Sequence, residues 1–181
     1  QTLLIFDEIQ TCFGRLGTLF GFEKYDVRPD ILCIAKGMGG GMPIGAFISS
    51  WQLMNLLTFD PKLGHITTFG GHPINCAASL ATLEHLLSAD IMQKVDEKEQ
   101  LFRLHLKHPK IKEIRGNGLM LSIEFEDEEL AKKVVKQSLE NGLILFYFLF
   151  TKTAIRITPP LTISNKEIIE GCNIIKEILK T

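Results

Sequence analysis

The sequence predicts an α/β protein whose first part holds parallel-type strands and whose last part is a smaller α+β lobe. Two uncharged apolar runs, Leu3–Phe6 and Ile31–Ala35, have the length and composition of strands buried on both faces of a parallel sheet. After residue 108 the pattern changes to two strands, a helix, two strands and a helix. That order is typical of a small sheet covered on one side by two helices.

Composition and charge exclude several classes of function. Of the 181 residues, 45% are hydrophobic and 23% are charged, and the net charge of −1 gives no electrostatic reason to expect nucleic acid or a membrane surface as partner. No apolar run approaches the roughly 20 residues of a membrane helix. The four cysteines and five histidines lack the spacing of a disulfide framework or a metal site. We therefore expect reduced thiols, no metal and a cytoplasmic protein.

Ionisable residues end both apolar runs. Asp7 and Glu8 follow the first run, and Lys36 follows the second. In open α/β sheets, ligands bind just beyond the carboxyl ends of the strands. An acid and a lysine on neighbouring strand ends are therefore expected to face one ligand from two sides.

A glycine cluster follows Lys36, with glycine at positions 37, 39, 40 and 41. It lacks the GK[ST] ending of a phosphate-binding P-loop. Two interpretations stay open on the residues alone. The cluster is either a flexible turn or a place where backbone passes close to a bulky planar ligand, since a side chain would clash there.

The rest of the first part is predicted to contain a buried strand at Ile44–Ser49, a short helix at Ser50–Leu57 and a helix from Pro73 to about Ser88. Thr67 and Thr68 lie in the loop before that last helix, whose N-terminus favours an anion. From the residues alone, the favoured interpretation is that the Thr67 and Thr68 hydroxyls accept hydrogen bonds from unpaired backbone amides at the start of the helix.

The C-terminal lobe is predicted to follow an amphipathic helix that ends near His108-Pro109. Arg156 interrupts one of its apolar strands, and its pattern alone favours a solvent-facing side chain on an edge strand over a carboxylate receptor. The predicted elements are a helix at Ile91–Lys107, strands at Ile111–Arg115 and Leu119–Phe125, a helix at Glu126–Asn141, strands at Leu143–Phe150 and Ala154–Thr158, and a helix at Asn165–Leu179 that begins with a Ser164/Glu167 capping box.

Five motifs occur in one order along nearly the whole chain, and together they resemble the class III pyridoxal-phosphate-dependent aminotransferases of the ornithine, acetylornithine and 4-aminobutyrate type. The motifs are LLIFDEIQT–FGR–G in Leu3–Gly17, PDILCIAKGMGGGMPIGA in Pro29–Ala46, TTFGGHP in Thr67–Pro73, RGNGLM in Arg115–Met120 and IRITPPLTIS in Ile155–Ser164.

The resemblance implies fold type I, with the second half of the large mixed-sheet domain at residues 1–108 and an α+β small domain at residues 109–181. The family's N-terminal half supplies the main phosphate loop and the aromatic that stacks on the cofactor ring, and neither is found in this sequence. We therefore expect that half to be supplied by another chain or to be missing. Cys12 and His72 stand where the family usually has glycine and asparagine.

The resemblance also assigns the cofactor contacts. Lys36 would carry pyridoxal 5′-phosphate as a Schiff base and move a proton between substrate and cofactor. Asp7 would pair with the pyridine nitrogen, and Gln10 would bond to the phenolic oxygen or nearby ring substituents. Thr68, helped by Thr67, would bind the cofactor phosphate of the neighbouring subunit.

Arg156 would bind a substrate carboxylate under the same resemblance. The implied reaction transfers an amino group from ornithine, acetylornithine or another ω-amino acid to 2-oxoglutarate, in a homodimer with a shared active site. Two alternatives stay open: another pyridoxal-phosphate reaction on the same fold, such as aminomutase or decarboxylase chemistry, and a non-catalytic half that contributes only an interface.

Overall fold

The computed structural model describes residues 2–180, whose contacts group into two compact units that divide between Met92 and Gln93. Each unit has its own sheet. No helix within the described residues is long and apolar enough to cross a membrane.

The first unit contains a three-stranded sheet in the order β1-β2-β3. β1 and β2 are parallel, as the sequence predicted, whereas β3 is antiparallel to β2, so the sheet is mixed. The strands are β1 (Ile5–Asp7), β2 (Ile31–Ile34) and β3 (Ala46–Ser49), and the helices are α1 (Gly21–Tyr25), α2 (Trp51–Leu56) and α3 (Pro73–Ser88), with a 3₁₀ turn at Lys36–Gly39.

Burial on both faces, which the apolar runs predicted, is wrong for this sheet as the structure describes it. Ile5 of β1 is 58% exposed, and on β2 only the alternate residues Leu32 and Ile34 are buried. On β3, Phe47 and Ile48 are both exposed. The reason is geometric, because helices must cover both faces of a parallel sheet, and within residues 2–180 the helices make few contacts with β1 and β2.

The predicted helix signals of the first unit are confirmed. Ser50 caps α2 by accepting a hydrogen bond on its hydroxyl from the Leu53 amide at 3.4 Å. α3 spans the predicted Pro73–Ser88, with proline in its first turn. His72 caps it weakly, since its Nδ1 accepts from the Ile74 amide at 3.3 Å.

After its first helix, the second unit has the predicted ββαββα order, and its four-stranded antiparallel sheet has the order β4-β5-β7-β6. One predicted strand, Leu143–Phe150, shortens to two residues because Leu149 and Phe150 are more than 90% exposed and pair with nothing. The elements are α4 (Val95–His105), β4 (Glu113–Asn117), β5 (Met120–Glu124), α5 (Glu128–Glu140), β6 (Phe146–Tyr147), β7 (Ala154–Ile157) and α6 (Asn165–Lys180).

Alternation along the strands of the second unit separates a core face from an outer face. Leu121 and Ile123 of β5 and Ile155 and Ile157 of β7 are buried in one apolar cluster with residues of the helices. Their neighbours, including Arg156, therefore face the other side of the sheet. α4 packs against α6 and so groups with this unit. The domain boundary at residue 108 stays a prediction for the complete enzyme.

Candidate active site

Asp7 and Lys36 lie at the same edge of the first sheet. Asp7 ends β1 opposite Cys33 of the parallel strand β2, and Lys36 begins the 3₁₀ turn that follows β2. Adjacent strands are about 4.8 Å apart, so the two residues follow neighbouring strand ends. Both residues are exposed. The parallel pairing predicted from the two apolar runs is thus confirmed, whereas the chemical roles of the two residues stay predictions.

Lys36 adopts a backbone conformation that is uncommon for a lysine. Its φ is +48°, in the left-handed region that favours glycine. Conformations of this kind cost of order 1–3 kcal/mol and cluster at functional sites. Within residues 2–180 the Lys36 ammonium has no hydrogen-bond or ion-pair partner, so the chain itself does not occupy it.

Two glycines after Lys36 are explained by close packing within the chain. A Cβ at Gly37 would lie 3.1 Å from the Cβ of Phe13. Gly40 has a φ of +57°, and a Cβ there would lie 2.0 Å from the Thr82 hydroxyl of α3. At these two positions the close neighbour is protein, which neither sequence interpretation of the glycine cluster foresaw.

The two adjacent acids after β1 have different environments. Glu8 is 3% exposed, and its carboxylate accepts from the amides of Gly21 at 2.5 Å and Phe22 at 2.6 Å and from the Thr11 hydroxyl at 3.1 Å. Asp7 is exposed, and one of its oxygens accepts from the Ile9 amide at 3.0 Å. Glu8 therefore anchors the loop to α1, while Asp7 has one oxygen without a hydrogen bond within the described residues.

Cys12 fits its position without strain. Its side chain is 4% exposed, and its thiol lies 3.9 Å from the carbonyl of Ala35, the residue before Lys36. Burial raises the pKa of this thiol to about 11, so it is protonated at neutral pH. The positive φ in this loop falls on Phe13 instead, at +52°. Because Cys12 is not among the residues with a positive φ, a cysteine can stand where the resembled family usually has glycine.

The remaining predicted cofactor residues lie on exposed loops. Gln10 is exposed in the turn after β1. Thr67 and Thr68 are exposed in the loop before α3, and the described residues show no hydrogen bond between their hydroxyls and Asp7 or Lys36. The structure thus brings Asp7, Gln10 and Lys36 to one region of the first unit and does not join the threonines to them.

Arg156 does not lie on an edge strand, so that expectation is wrong. β7 is flanked by β5 and β6, and the cross-strand neighbours of Arg156 are Ser122 and Phe146. Its Cζ lies 5.4 Å from the centroid of the Phe146 ring, within cation–π range. Its Nε is buried and has no hydrogen-bond partner in the described chain. A cleft of about 300 Å³ on the outer face of the sheet is lined by Arg156 and Ser122.

Two supporting residues were not singled out from the sequence. Glu8 and Asp7 are adjacent acidic residues, and the sequence does not show that only Glu8 is buried. Asn75, buried in α3, donates from Nδ2 to the Pro43 carbonyl at 2.7 Å and so ties α3 to the loop after Lys36. The only available sequence signal for Asn75 was a polar residue in the first turn of an otherwise apolar helix.

The fold and this arrangement of residues define a fold type I pyridoxal-phosphate-dependent transferase, with the second half of the large domain followed by the small domain. A family model described as aminotransferase class-III matches residues 1–179. The chain belongs to this family, whose members are pyridoxal phosphate enzymes.

Two curated relatives show the same likeness. The chain is 41% identical to the acetylornithine aminotransferase of Caldanaerobacter subterraneus subsp. tengcongensis over 98% of its own length and 44% of the relative's. It is 39% identical to the putrescine aminotransferase of Pectobacterium atrosepticum over 98% of this chain and 39% of that one. The chain therefore spans less than half the length of these relatives.

Solved structures agree with the sequence relatives. The ornithine delta-aminotransferase of Plasmodium falciparum superposes with a TM-score of 0.88 at 30% identity, covering 99% of this chain and 48% of that chain. The ornithine aminotransferase of Toxoplasma gondii superposes with a TM-score of 0.87 at 33% identity, covering 99% of this chain and 44% of that chain.

Proposed function

We propose that this chain supplies the lysine side of an aminotransferase active site, in which Lys36 holds pyridoxal 5′-phosphate covalently and Asp7 holds its ring nitrogen. The observation that carries the proposal is the position of the two residues. They lie beyond the carboxyl ends of adjacent parallel strands, where ligands of α/β sheets bind.

The residues present fit the cofactor chemically. The Lys36 ammonium has no partner within the described chain, and Asp7 has one oxygen without a hydrogen bond. Arg156 has a buried Nε without an acceptor. A buried polar group without a partner is costly, so the Arg156 Nε favours an acceptor such as a substrate carboxylate. Asp7 and Lys36 are exposed, and their free oxygen and ammonium are available to a cationic ring nitrogen and an electrophilic carbon.

Each residue has a defined task in this proposal. Bound pyridoxal phosphate supplies an electron sink for the charge that develops when the substrate loses a proton. The carboxylate of Asp7 holds a proton at the pyridine nitrogen by hydrogen bonding to its charged form. Lys36 Nζ would hold the cofactor covalently and, once free, would accept and return a proton at that nitrogen. Gln10 orients the ring through its phenolic oxygen.

Thr67 and Thr68 bind the cofactor phosphate of a second copy in the same proposal, which makes the enzyme a homodimer with a shared active site. Their exposure and their lack of hydrogen bonds to Asp7 or Lys36 are compatible with that role. Arg156 binds a substrate carboxylate through its planar guanidinium. We infer 2-oxoglutarate as acceptor and ornithine, acetylornithine or a related ω-amino compound as donor.

The proposed catalytic assembly includes an N-terminal half of the large domain in addition to these residues. Large apolar side chains of the first unit are exposed, among them Ile5 at 58% and Trp51 at 76%, and β1 leaves one edge without a described partner strand. Surface of this kind is typical of an interface. We expect these 181 residues alone to bind pyridoxal phosphate weakly.

Substitution of Lys36 by alanine tests the proposal. In the complete assembly, Lys36→Ala should abolish both transamination and the visible absorbance of covalently held cofactor, because the substitution removes the amine that forms the bond. Lys110→Ala, which removes an exposed lysine of the second unit, is the control and should leave both unchanged. Retention of activity and absorbance in Lys36→Ala would contradict the proposal, and turnover that needs no oxo-acid acceptor would favour mutase or decarboxylase chemistry.

A further inference from the structure

A row of polar and aromatic residues crosses the outer face of the second unit's sheet. Arg115 of β4 pairs with Ser122 of β5, Ser122 pairs with Arg156 of β7, and Arg156 pairs with Phe146 of β6. The row therefore places two arginines on one face, separated by a single strand. Both arginines line the same cleft of about 300 Å³.

Glu124 is placed between the two arginines. It lies two residues after Ser122 on β5, opposite Glu113 on one side and Ala154 on the other. It is therefore a diagonal cross-strand neighbour of both Arg115 and Arg156, at the roughly 7–8 Å separation that long side chains can span. From this register alone, Glu124 could pair with either arginine.

In the structure, Glu124 pairs with Arg115 and not with Arg156. One of its oxygens accepts from Nη2 of Arg115, and the other accepts from the Thr153 hydroxyl. Its side chain is 15% exposed, so this pairing is partly shielded from water. Arg115 forms a second ion pair with Glu113, in which the Arg115 Nε lies 3.5 Å from the Glu113 carboxylate.

Arg156 is correspondingly left without a counterion. Phe146 faces its guanidinium at 5.4 Å, on the side away from β5. Its Nε is buried and unpartnered within the described residues. An arginine in this state retains its full capacity to bind a carboxylate, whereas pairing with Glu124 would neutralise it.

We propose that Arg115 is a positioning residue that holds Glu124 away from Arg156 and so keeps Arg156 available for the substrate's carboxylate. This inference rests on the proposed role of Arg156 and adds a specific dependence on a second arginine. Arg115 is 52% exposed, so its ion pairs contribute little to stability, and loss of the residue can be separated from unfolding.

The test measures carboxylate binding directly, with glutarate as the probe and the full chain as the protein. The NMR signal of the Arg156 Nε–H group, identified by its disappearance in Arg156→Lys, reports both binding and any internal partner. We expect Arg115→Gln to weaken glutarate binding by about three- to fivefold, which corresponds to the upper part of the range measured for partly exposed ion pairs. In Arg115→Gln without glutarate, the Arg156 signal should already have moved toward its carboxylate-bound position.

Two double variants separate this mechanism from a simple change in net charge. Arg115→Gln/Glu124→Gln and Arg115→Gln/Glu113→Gln both restore the wild-type charge, but only the first removes the competing carboxylate. We expect the first to bind glutarate within about twofold of wild type and the second to stay as weak as Arg115→Gln, since a released Glu124 still outcompetes part of the ligand.

Each outcome is decisive. Wild-type affinity in Arg115→Gln, or equal recovery in both double variants, would overturn the role of Arg115 while leaving Arg156 as a carboxylate receptor. If the wild-type chain shows no glutarate response that depends on Arg156, the proposed receptor role fails and this inference fails with it. Thermal unfolding midpoints close to wild type in all variants would show that the changes in binding do not arise from unfolding.

Discussion

Replacing the buried Glu8 with glutamine removes a charge on which the loop before α1 depends. The Glu8 carboxylate accepts three hydrogen bonds, from Gly21 N at 2.5 Å, Phe22 N at 2.6 Å and the Thr11 hydroxyl at 3.1 Å. Glutamine offers only one carbonyl oxygen, so its amide group must face at least one backbone N–H. A buried donor without an acceptor costs about 1–3 kcal/mol, and bonds to a charged acceptor are about twice as strong as neutral ones. We expect Glu8→Gln to destabilise this loop by about 2–4 kcal/mol.

Amide hydrogen exchange of Gly21 and Phe22 measures this change where it occurs. Protection of both amides should fall by about 30- to 1000-fold in Glu8→Gln, which is the expected free energy expressed as a ratio. Glu23→Gln is the matched control, because Glu23 accepts one backbone hydrogen bond from Phe20 N at 3.0 Å on the exposed side of the same helix. A similar loss in both variants, or a loss under fivefold in Glu8→Gln, would refute the assignment of Glu8 as the anchor.

Two further predictions concern cysteine reactivity and a helix cap. At neutral pH, iodoacetamide should modify the exposed Cys76 well before Cys12 and Cys172, whose thiol pKa values are raised by burial to about 11 and about 12, and intact-mass kinetics measure this order. Because these folded-state pKa values exceed the ordinary 9.0, the stability that the protonated thiols contribute is present below pH 9.0 and is lost as the pH rises through the folded-state values. Alkaline unfolding curves measure this loss of stability. Ser164→Ala should lower the thermal midpoint by roughly 2–4 °C through loss of the α6 cap. Hydrogen bonds from Ser164 lower the pKa of Glu167. The stability linked to this carboxylate is therefore present above its unfolded-state pKa and is lost as the pH falls through its folded-state pKa. Calorimetry should show that the unfolding midpoint of Ser164→Ala depends less on acid pH than that of the wild type.

Capping residues and proline predicted the helices whose ends depend on residues that are close in sequence. α3 begins at Pro73 and ends at Ser88 as predicted, because proline suits the first turn and the apolar pattern stops there. The Ser164/Glu167 capping box forms in both directions, with Ser164 N donating to Glu167 at 2.8 Å and Glu167 N donating to Ser164 at 3.2 Å. These interactions span three residues, so the sequence contains them completely.

Predictions failed where the outcome depends on distant residues. The apolar run Leu143–Phe150 has the composition of a strand, but only Phe146 and Tyr147 pair with β7, opposite Arg156 and Ile155. Burial of β1 depends on helices packed on the faces of the sheet, and the described residues place few helix contacts there. Sequence pattern records a residue's preference and cannot show whether a partner is present to satisfy it.

The residues of the candidate site also include some that the sequence could place and one that it could not. Lys36 and Asp7 could be placed from sequence because each ends an apolar run, and parallel strands bring such ends to one edge. The environment of Arg156 could not be placed, since it depends on the register of three strands. A shift of one residue in β7 would have turned Arg156 into the core and Ile155 outward.

Carboxylates with internal partners differ physically from groups that the chain leaves available. Glu99, at 7% exposure, accepts from Arg103 Nε at 2.9 Å and Gly118 N at 2.5 Å, and so joins α4 to the β4–β5 turn. Glu8 and Glu124 are likewise saturated by donors from the chain. A charge in a shielded position requires such partners, because desolvation without them costs several kcal/mol. Lys36 has no such partner, and its ammonium is exposed beside strained backbone. An exposed ammonium is hydrated and needs no partner from the chain, so Lys36 stays available to a ligand. Backbone conformations such as that of Lys36 cluster at functional sites, which supports the proposed covalent attachment at this residue.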